Sequence, residues 1–405
     1  MLRFANSEAF DISGWKELES LSQNGLSLVG HRFIAIADCP QLVSLETEEE
    51  RLQLDKIPGV ESLEIRDCER LNRLPQILHA FPFITRIKLG NCPGLVCFAK
   101  RNFPPALKEL EICDCENLQY LVDGNVNNKS MTSNTCLLER LDISSCPSLI
   151  WLSSRGDICN RLQHLQIESC SKLRSLFLNS KLPVMLQSLD ILDCPLLECI
   201  AQNFHETVDL ESIRISNAEN IKSLPGRLDK LSHLPNYINK FTFLQELKVR
   251  ECSADLSFPE EGFPTRLTSL EISNAPKIYT SLVEWGLNRF TSLQKLQIGG
   301  EGFSSVMSFP EEGIGMTLPP SLASIFIQNF ENLEYMCSKG FQHFTSLQQL
   351  QIYACPKLTS LPEKDSLLSL RSLTIWYCPL LEGCIRGKGQ EWSKIAHIPF
   401  VFIQG

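Results

Sequence analysis

A short leucine-rich segment recurs along almost the whole chain and constrains the fold more than any other feature. Residues 347–362 read LQQLQIYACPKLTSLP, where apolar positions spaced two and three apart surround Cys355. This spacing fits neither a helical stripe nor a simple alternating strand. Fourteen segments of the form LxxLxIxxC follow one another with a mean period of about 26 residues. Their central positions are Ile36, Ile65, Leu89, Ile112, Ile143, Ile167, Ile191, Ile215, Val249, Ile272, Ile298, Ile327, Ile352 and Ile375.

A repeat of this length and pattern predicts an α/β-type solenoid of leucine-rich repeats. Within LxI the apolar residues alternate with polar ones, so a short strand points them inward. Stacked strands would form one parallel β-sheet on the concave face of a horseshoe. The convex segments should be irregular, short helical or 3-10. Because one repeat cannot bury its apolar face alone, each should depend on its neighbours.

Ten of the seventeen cysteines occupy the same position of the repeat, the final position of LxxLxIxxC. A small buried thiol at this step can hydrogen-bond to the backbone of the turn, so we interpret the series as a structural ladder. A disulfide framework is the rival interpretation, although pairing successive turns would distort an even stack. The only N-glycosylation sequon is at Asn128. The ladder consists of Cys39, Cys68, Cys92, Cys115, Cys146, Cys170, Cys194, Cys252, Cys355 and Cys378.

The pattern divides the chain into an incomplete N-terminal repeat or linker (1–32), a solenoid of about 14 repeats (33–384) and a C-terminal capping tail (385–405). The stretches at 125–134 and 225–241 are predicted loops, and SFPEEG occurs at both 257–262 and 308–313. Solenoids need a polar terminal cap, and residues 1–32 show no obvious one apart from MLRF, a possible strand remnant. The chain therefore looks cut within the array, and its first repeat is expected to expose Phe33, Ile34 and Ile36.

The balance of charge and apolar residues excludes several classes of partner. With 38 basic and 47 acidic residues the net charge is −9, which disfavours binding to nucleic acid or anionic lipid. No run of 18 apolar residues predicts a membrane span. The N-terminus does not resemble a secretory signal. We expect a reducing compartment, the cytoplasm, with the nucleus as a second location.

No enzymatic motif is present in the sequence. The string GCIRGKG at 383–389 has the wrong spacing for a phosphate-binding loop, and HExxH, CxxC and GxSxG are absent. Cys113 should face outward and Cys115 inward, which makes a poor metal pair. His164 is predicted to be an ordinary surface contact. We therefore expect no enzyme activity, no catalytic residues, no metal and no cofactor.

The outward strand positions change character along the chain. Early repeats carry basic residues, including Arg86 and Lys88, and the acidic residues that follow, such as Glu109, are interpreted as a solvated face. The last repeats carry aromatic residues instead, and Tyr353 and Trp376 should be direct neighbours. Such clusters are typical anchors of protein interfaces, whereas the alternative is packing against the tail as a cap. The protein-interaction candidates are Phe326, Tyr353, Trp376 and Tyr377.

The tail CPLLEGCIRGKGQEWSKIAHIP is the most specific sequence motif in the chain. It resembles the C-terminal end of plant coiled-coil-type nucleotide-binding leucine-rich-repeat disease-resistance proteins, which close with CPxL…C…GxGx(D/E)WxKIxHIP. The matching residues are Cys378, Pro379, Leu381, Cys384, Gly387, Gly389, Glu391, Trp392, Lys394, Ile395, His397, Ile398 and Pro399.

This resemblance implies a sensor of pathogen effectors or of guarded host proteins, which in a full receptor also contacts its own nucleotide-binding domain. The chain has no coiled coil, P-loop or nucleotide-binding domain, so nucleotide switching is not carried over. Two other hypotheses remain. One is the substrate-recognition module of a ubiquitin-ligase receptor, which would require an F-box-like segment. The other is a secreted inhibitor or receptor ectodomain, which would require a signal peptide.

Overall fold

A computed structural model describes the chain in two units, the first ending at Leu210 and the second beginning at Glu211. We call them the N-terminal unit and the C-terminal unit. The described residues are 8–20, 31–43, 45, 59–72, 74, 83–99, 103–122, 136–152, 160–176, 182–198, 200, 209–221, 243–252, 263–341, 344–386 and 390–404. The predicted loops at 125–134 and 225–241, the MLRF segment and the first SFPEEG copy lie outside them.

Short parallel strands from successive repeats form a row in each unit. In the N-terminal unit the row is β1 (Ala9–Ser13), β2 (Phe33–Ala37), β3 (Ser62–Arg66), β4 (Arg86–Gly90), β6 (Glu109–Cys113), β8 (Arg140–Ser144), β9 (His164–Glu168) and β10 (Ser188–Leu192). The short strands β5 (Cys97–Ala99) and β7 (Tyr120–Val122) pair separately.

The C-terminal unit repeats this arrangement. Its row is β11 (Ser212–Ala218), β12 (Glu246–Cys252), β13 (Ser269–Ser273), β14 (Lys295–Gly299), β16 (Ser324–Gln328), β18 (Gln349–Tyr353), β19 (Ser372–Trp376) and β20 (Phe400–Gln404). A separate pair is formed by β15 (Ser308–Phe309) and β17 (Tyr335–Met336).

The strands are in register, so equivalent residues of successive repeats form columns. Leu63 lies beside Ile87, and Ile65 beside Leu89, and all four are at most 2% exposed. Burying each such side chain contributes about 1.5–3 kcal/mol relative to leaving it in water. All fourteen predicted central residues lie in the two rows. The parallel, in-register strands confirm the predicted leucine-rich-repeat solenoid.

A left-handed residue ends most of the strands. Among the described residues, thirteen other than glycine have φ between 48° and 55°, and each immediately precedes the ladder position. Eight of them are Asp or Asn, the side chains that best tolerate this conformation. Their amides bond forward along the row, as Asp67 does to the Gly90 carbonyl at 3.0 Å. The sequence signal was the acidic or amide residue that precedes six of the ten ladder cysteines.

The first predicted repeat is not the end of the row, which corrects the sequence analysis. Strand β1 pairs with β2 and sets Ile12 beside Ile36. Ile34 and Ile36 are consequently 3% and 1% exposed, and only the outward Phe33 is exposed. The prediction of an open apolar edge at these residues was wrong, because residues 9–13 form a further strand whose two-residue alternation escaped the search for LxxLxIxxC.

The turn after β14 uses glycine where other turns use Asp or Asn. A Cβ on Gly300, whose φ is +110°, would lie 1.9 Å from the Asn274 side-chain oxygen. That oxygen accepts a hydrogen bond from the Glu301 amide at 2.5 Å. Only glycine leaves room for this contact between repeats.

Helices are few among the described residues. They are α1 (Pro276–Trp285), α2 (Pro379–Arg386) and α3 (Gln390–Ile395), with 3-10 segments at Leu287–Arg289, Glu312–Ile314, Ser338–Phe341 and Lys364–Leu367. Helix α1 starts on a proline, as favoured at N1, and ends at Gly286 with φ 96°. The second SFPEEG copy contributes β15 and the start of a 3-10 segment.

Candidate protein-recognition surface

Aromatic side chains gather at the last strand position of the final repeats. Tyr353 ends β18 and Trp376 ends β19, and the register sets them side by side, as the sequence predicted. The next residue in this column is Gln404 of β20. Both aromatic side chains lie on the outward face and are partly buried.

Ring contacts extend this pair on both sides. The Tyr353 and Tyr377 centroids are 5.4 Å apart at an interplanar angle of 84°, and those of Trp376 and Phe402 are 6.0 Å apart at 62°. Both are edge-to-face arrangements, which aromatic pairs favour. Tyr377, Phe400 and Phe402 are 53%, 72% and 50% exposed. We call these five residues the C-terminal aromatic surface.

Phe326 does not belong to this surface. It pairs with Gln351, which pairs with Thr374, and Thr374 in turn pairs with Phe402. Phe326 therefore occupies the middle column, with two polar residues between it and the nearest aromatic of that column. The structure brings three of the four predicted candidates together and leaves the fourth apart.

Phe400 and Phe402 were missed by sequence reasoning. The tail was treated as a cap rather than a strand, yet FVFIQ pairs in register with β19. The signal was the alternation that follows Pro399, which could have predicted a strand with two outward phenylalanines.

The residues of the C-terminal motif hold β20 against the repeats. The Lys394 ammonium lies 2.9 Å from Glu391 and 3.2 Å from Glu363, and it donates to the Leu361 carbonyl at 3.1 Å. Glu391 accepts from the Leu361 amide at 2.9 Å. We call Glu391, Lys394 and their partners the tail clamp.

Charge and burial compete at the tail clamp. Burial works to lower the pKa of Lys394, but hydrogen bonds from it to Glu391 and Glu363 raise that pKa. His397 contributes a further contact, its Nε2 lying 3.0 Å from the Leu367 carbonyl. The tail clamp accounts for the Glu, Lys and His of the motif as anchors of β20, and hence of the aromatic surface that β20 completes.

Trp376 therefore satisfies both sequence-based interpretations in part. It packs against Phe402 of the tail, which fits a cap. The surface around it stays open, since Phe400, Phe402 and Tyr377 are at least half exposed. Packing alone does not account for three exposed aromatic side chains on β20 and the turn that follows β19.

Tyr377 is held in an unfavourable backbone conformation. Its φ is 53°, a value that Asp or Asn takes at most equivalent turns. A bulky side chain there costs about 1–2 kcal/mol. Such strain at an exposed aromatic residue is typical of a position kept for contact rather than for stability.

Charged side chains on the outward face of the N-terminal unit are paired with one another. Arg86 contacts Glu109 and Lys88 contacts Glu111, each at 2.5 Å, and Arg140 contacts Asp142 at 2.9 Å. These residues line a cleft of about 160 Å³. Mutual neutralisation fits the predicted solvated face.

The ladder cysteines line the turns, where all ten are at most 7% exposed and none is in a disulfide. Nine donate to the carbonyl two residues earlier at 3.2–3.5 Å. Burial raises the pKa of Cys68 to about 12 and that of Cys252 to about 12. Thiols of this kind are poor nucleophiles at neutral pH.

The residues weighed for other chemistry lie apart. Cys113 faces outward, and burial raises its pKa, while His164 is a partly buried first residue of β9. Residues 383–386 of GCIRGKG end α2. Across the described ranges, no cluster of three His, Cys, Asp or Glu is placed to hold a metal ion. No described helix has the length and apolarity to cross a bilayer.

Relatives of the chain are plant disease resistance proteins. Disease resistance protein At3g14460 of Arabidopsis thaliana is 32% identical over 350 residues, covering 86% of this chain and 23% of that protein. Disease resistance protein RF45 of the same plant is 31% identical over 163 residues, covering 39% and 15%. The chain thus spans about a quarter or less of these relatives. No family model matches it.

Solved structures with some likeness include two bacterial proteins. An internalin of Listeria monocytogenes aligns with a TM-score of 0.36 at 12% identity, covering 87% of this chain and 86% of its own. YopM of Yersinia enterocolitica aligns at 0.29 and 18%, covering 89% and 80%. At such scores the fold assignment depends on the chain's own strands and register.

Proposed function

We propose that this chain, a leucine-rich-repeat relative of plant disease resistance proteins, is a sensor region that recognises another protein through its C-terminal aromatic surface. The partner would be a pathogen effector or a guarded host protein. In a full-length receptor the chain's own nucleotide-binding domain would be a further partner. The observation that carries the proposal is the pair Tyr377 and Phe402, each at least half exposed and in ring contact with Tyr353 or Trp376, with the exposed Phe400 on the same face of β20 as Phe402.

The chemistry of this surface suits a protein partner. Tyrosine and tryptophan offer large stiff areas with one polar atom, and such residues commonly contribute 2 kcal/mol or more each as interface anchors. A clustered apolar surface on a charged, folded chain favours a partner that can bury it. The relatives support a defence-related role, since their names describe disease resistance.

The same proposal assigns the chain to a reducing compartment, the cytoplasm or the nucleus, without enzymatic activity or cofactor. Ten buried cysteines without disulfides support that compartment. The substrate-recognition module of a ubiquitin ligase would use the same fold. The aromatic surface does not separate the two roles, whereas the relatives favour the immune receptor.

A paired measurement tests the proposal. The chain is screened by surface plasmon resonance against purified effectors from pathogens of the source plant and against their host targets. For a partner so found, Tyr353→Ala with Trp376→Ala should weaken binding at least tenfold while the melting temperature falls by only a few degrees. The double variant Arg86→Ala with Lys88→Ala is the control. Unchanged binding would reject the surface, and lost stability with unchanged binding would make these aromatics packing residues.

A further inference from the structure

A second cleft of the C-terminal unit has a different chemical character from the aromatic surface. Its volume is about 430 Å³, and it is open to solvent on one side. Helix α1 forms one wall, the segment after β14 the second, and the 3-10 segment after β15 the third. Gly302, with φ +91°, brings the second wall close to Pro276. A side chain at this position would narrow the cleft.

The floor of the cleft is apolar and buried. Tyr279 and Phe303 are 4% and 2% exposed, and their rings meet edge to face with centroids 4.9 Å apart. The Tyr279 hydroxyl donates to Glu311 at 2.6 Å. Burial, followed by the neighbouring Glu311, raises the pKa of Tyr279, so the phenol stays protonated and keeps that carboxylate in place.

The walls carry negative charge without compensation. Glu284 on α1 and Glu311 both line the cleft, and its described lining residues include no lysine or arginine. In the described part of the chain neither carboxylate takes part in an ion pair, whereas the adjacent Glu312 pairs with Lys339 at 2.9 Å. Ile314, another lining residue, is 57% exposed and extends the apolar wall.

We propose that this cleft receives an arginine or lysine side chain of a partner protein. The aliphatic stem would lie against Phe303 and Val306, and the cation would approach Glu284 and Glu311. Long basic side chains bury their stems on apolar surface and place their charge at a polar edge, which is the arrangement this cleft offers. Because one side is open, the surrounding partner would cover the guest, which favours a side chain over a free small molecule.

A defined peptide tests the proposal in the full chain. The probe is the acetylated, amidated pentapeptide Gly-Leu-Arg-Leu-Gly, measured by titration calorimetry beside an analogue with neutral citrulline in place of arginine. The arginine peptide should bind at least tenfold more tightly than the analogue. Glu284→Lys should weaken its binding at least tenfold. Glu331→Lys, a charge reversal at another exposed glutamate outside the cleft, should change it less than twofold.

A steric pair separates occupancy of the cleft from general electrostatics. Ser305 lines the cleft and Ser304 does not, although both are exposed. Ser305→Trp should abolish binding, whereas Ser304→Trp should preserve it, with both variants retaining the parent melting temperature. The Tyr353→Ala, Trp376→Ala variant should bind the peptide normally, so this test can fail independently of the proposed function.

Four results would overturn the proposal. Equal affinity for the arginine and citrulline peptides would remove the role of the charge. Binding that survives Ser305→Trp, or no binding at millimolar peptide, would exclude the cleft as the site that binds the arginine side chain. Agmatine binding as tightly as the peptide would make this a site for small organic cations rather than for a partner's side chain.

Discussion

The two units build the same strand but fill the turns that follow it differently. All seven ladder positions of the N-terminal unit from Cys39 to Cys194 are cysteines. Of the seven ladder positions in the C-terminal unit, three are cysteines (Cys252, Cys355 and Cys378), and the others are Ala218, Ala275, Glu301 and Phe330. Around Phe330 the core becomes aromatic, with Phe303 and Phe309 at centroid distances of 5.3 and 6.4 Å. A thiol is thus one of several ways to fill the same step.

The two units also differ in the side chains on the outward faces of their strands. The N-terminal unit pairs its charges across neighbouring strands, as Arg86 does with Glu109, and the C-terminal unit does the same at β11–β13, as Arg214 does with Glu246. The C-terminal unit leaves aromatic side chains partly open at β18–β20. Paired surface charges contribute little and are satisfied by one another, whereas exposed aromatic surface gains most from a partner. The comparison shows that the same strand geometry can present either paired charges or exposed aromatic side chains on its outward face.

The largest expected effect comes from removing an aromatic side chain that replaces a thiol. Phe330→Ala should lower the free energy of unfolding by about 3–5 kcal/mol, because Phe330 is fully buried and its ring leaves a cavity. Hydrogen exchange should show the loss at β14–β18 and leave the N-terminal unit protected. Equal loss of protection in both units would show that the array unfolds as one body.

The tail clamp should have the next largest effect. Lys394→Met leaves Glu391 buried without its cation and should cost about 3 kcal/mol, seen as lost hydrogen-exchange protection at β20. Arg386→Met is the control, because its pair with Glu382 is largely exposed on the arginine side. Normal protection at β20 in Lys394→Met would contradict the anchoring role.

The tail clamp also predicts a pH dependence. A raised lysine pKa stabilises the fold fully below the unfolded value of about 10.4, and the contribution is lost as pH rises through the folded pKa. The parent chain should therefore lose β20 protection in alkaline buffer more steeply than Lys394→Met. If β20 protection fell equally steeply with pH in both chains, the ionised Lys394 would make no contribution to stability.

A ladder thiol should contribute less than an aromatic residue. Cys170→Ala should cost about 1–3 kcal/mol through lost packing and the lost bond to the Glu168 carbonyl. In the parent chain a thiol reagent should modify exposed Cys384 rapidly and Cys170 only after denaturant is added. Rapid labelling of Cys170, or native disulfides found by mass spectrometry, would contradict the interpretation of the ladder cysteines as buried, reduced packing residues.

The smallest effect on stability should be favourable. Tyr377→Asn replaces a bulky residue at φ 53° with one suited to that conformation, and should raise stability by about 1 kcal/mol. Partner binding should weaken in the same variant. Asn329→Ala, at an equivalent turn, should instead destabilise. A less stable Tyr377→Asn would mean that the contact with Tyr353 outweighs the strain.

Much of the fold could be predicted because the spacing of the repeat indicates where the strands lie and which of their residues are buried. The period locates fourteen strands, and the alternation around Ile65 or Ile352 gives the buried column. It did not find β1, since AFDIS carries only two apolar positions of the pattern, nor β20, whose FVFIQ stands alone in the tail. Both terminal strands depend on pairing with a neighbour, which a search for the full motif does not detect.

The site was predictable only where register decides it. Tyr353 and Trp376 occupy the same strand position, so the sequence sets them side by side. Phe326 lies one strand upstream of Tyr353, as the sequence predicted, but its direct pairing partner is Gln351. The cleft beside α1 was not predictable at all, because it depends on how a segment 27 residues beyond Pro276 folds back toward Tyr279, where Phe303 meets its ring.

Photo-crosslinking at matched turns tests the central claim most directly. Benzoylphenylalanine is placed at Tyr377 in the C-terminal unit and, separately, at Ser169, the equivalent turn of the N-terminal unit. Each chain is irradiated with the protein partner identified by the binding screen. Crosslinks from position 377, with none from position 169, are the result we predict. Crosslinks from position 169 alone would contradict the C-terminal aromatic surface as the site of recognition.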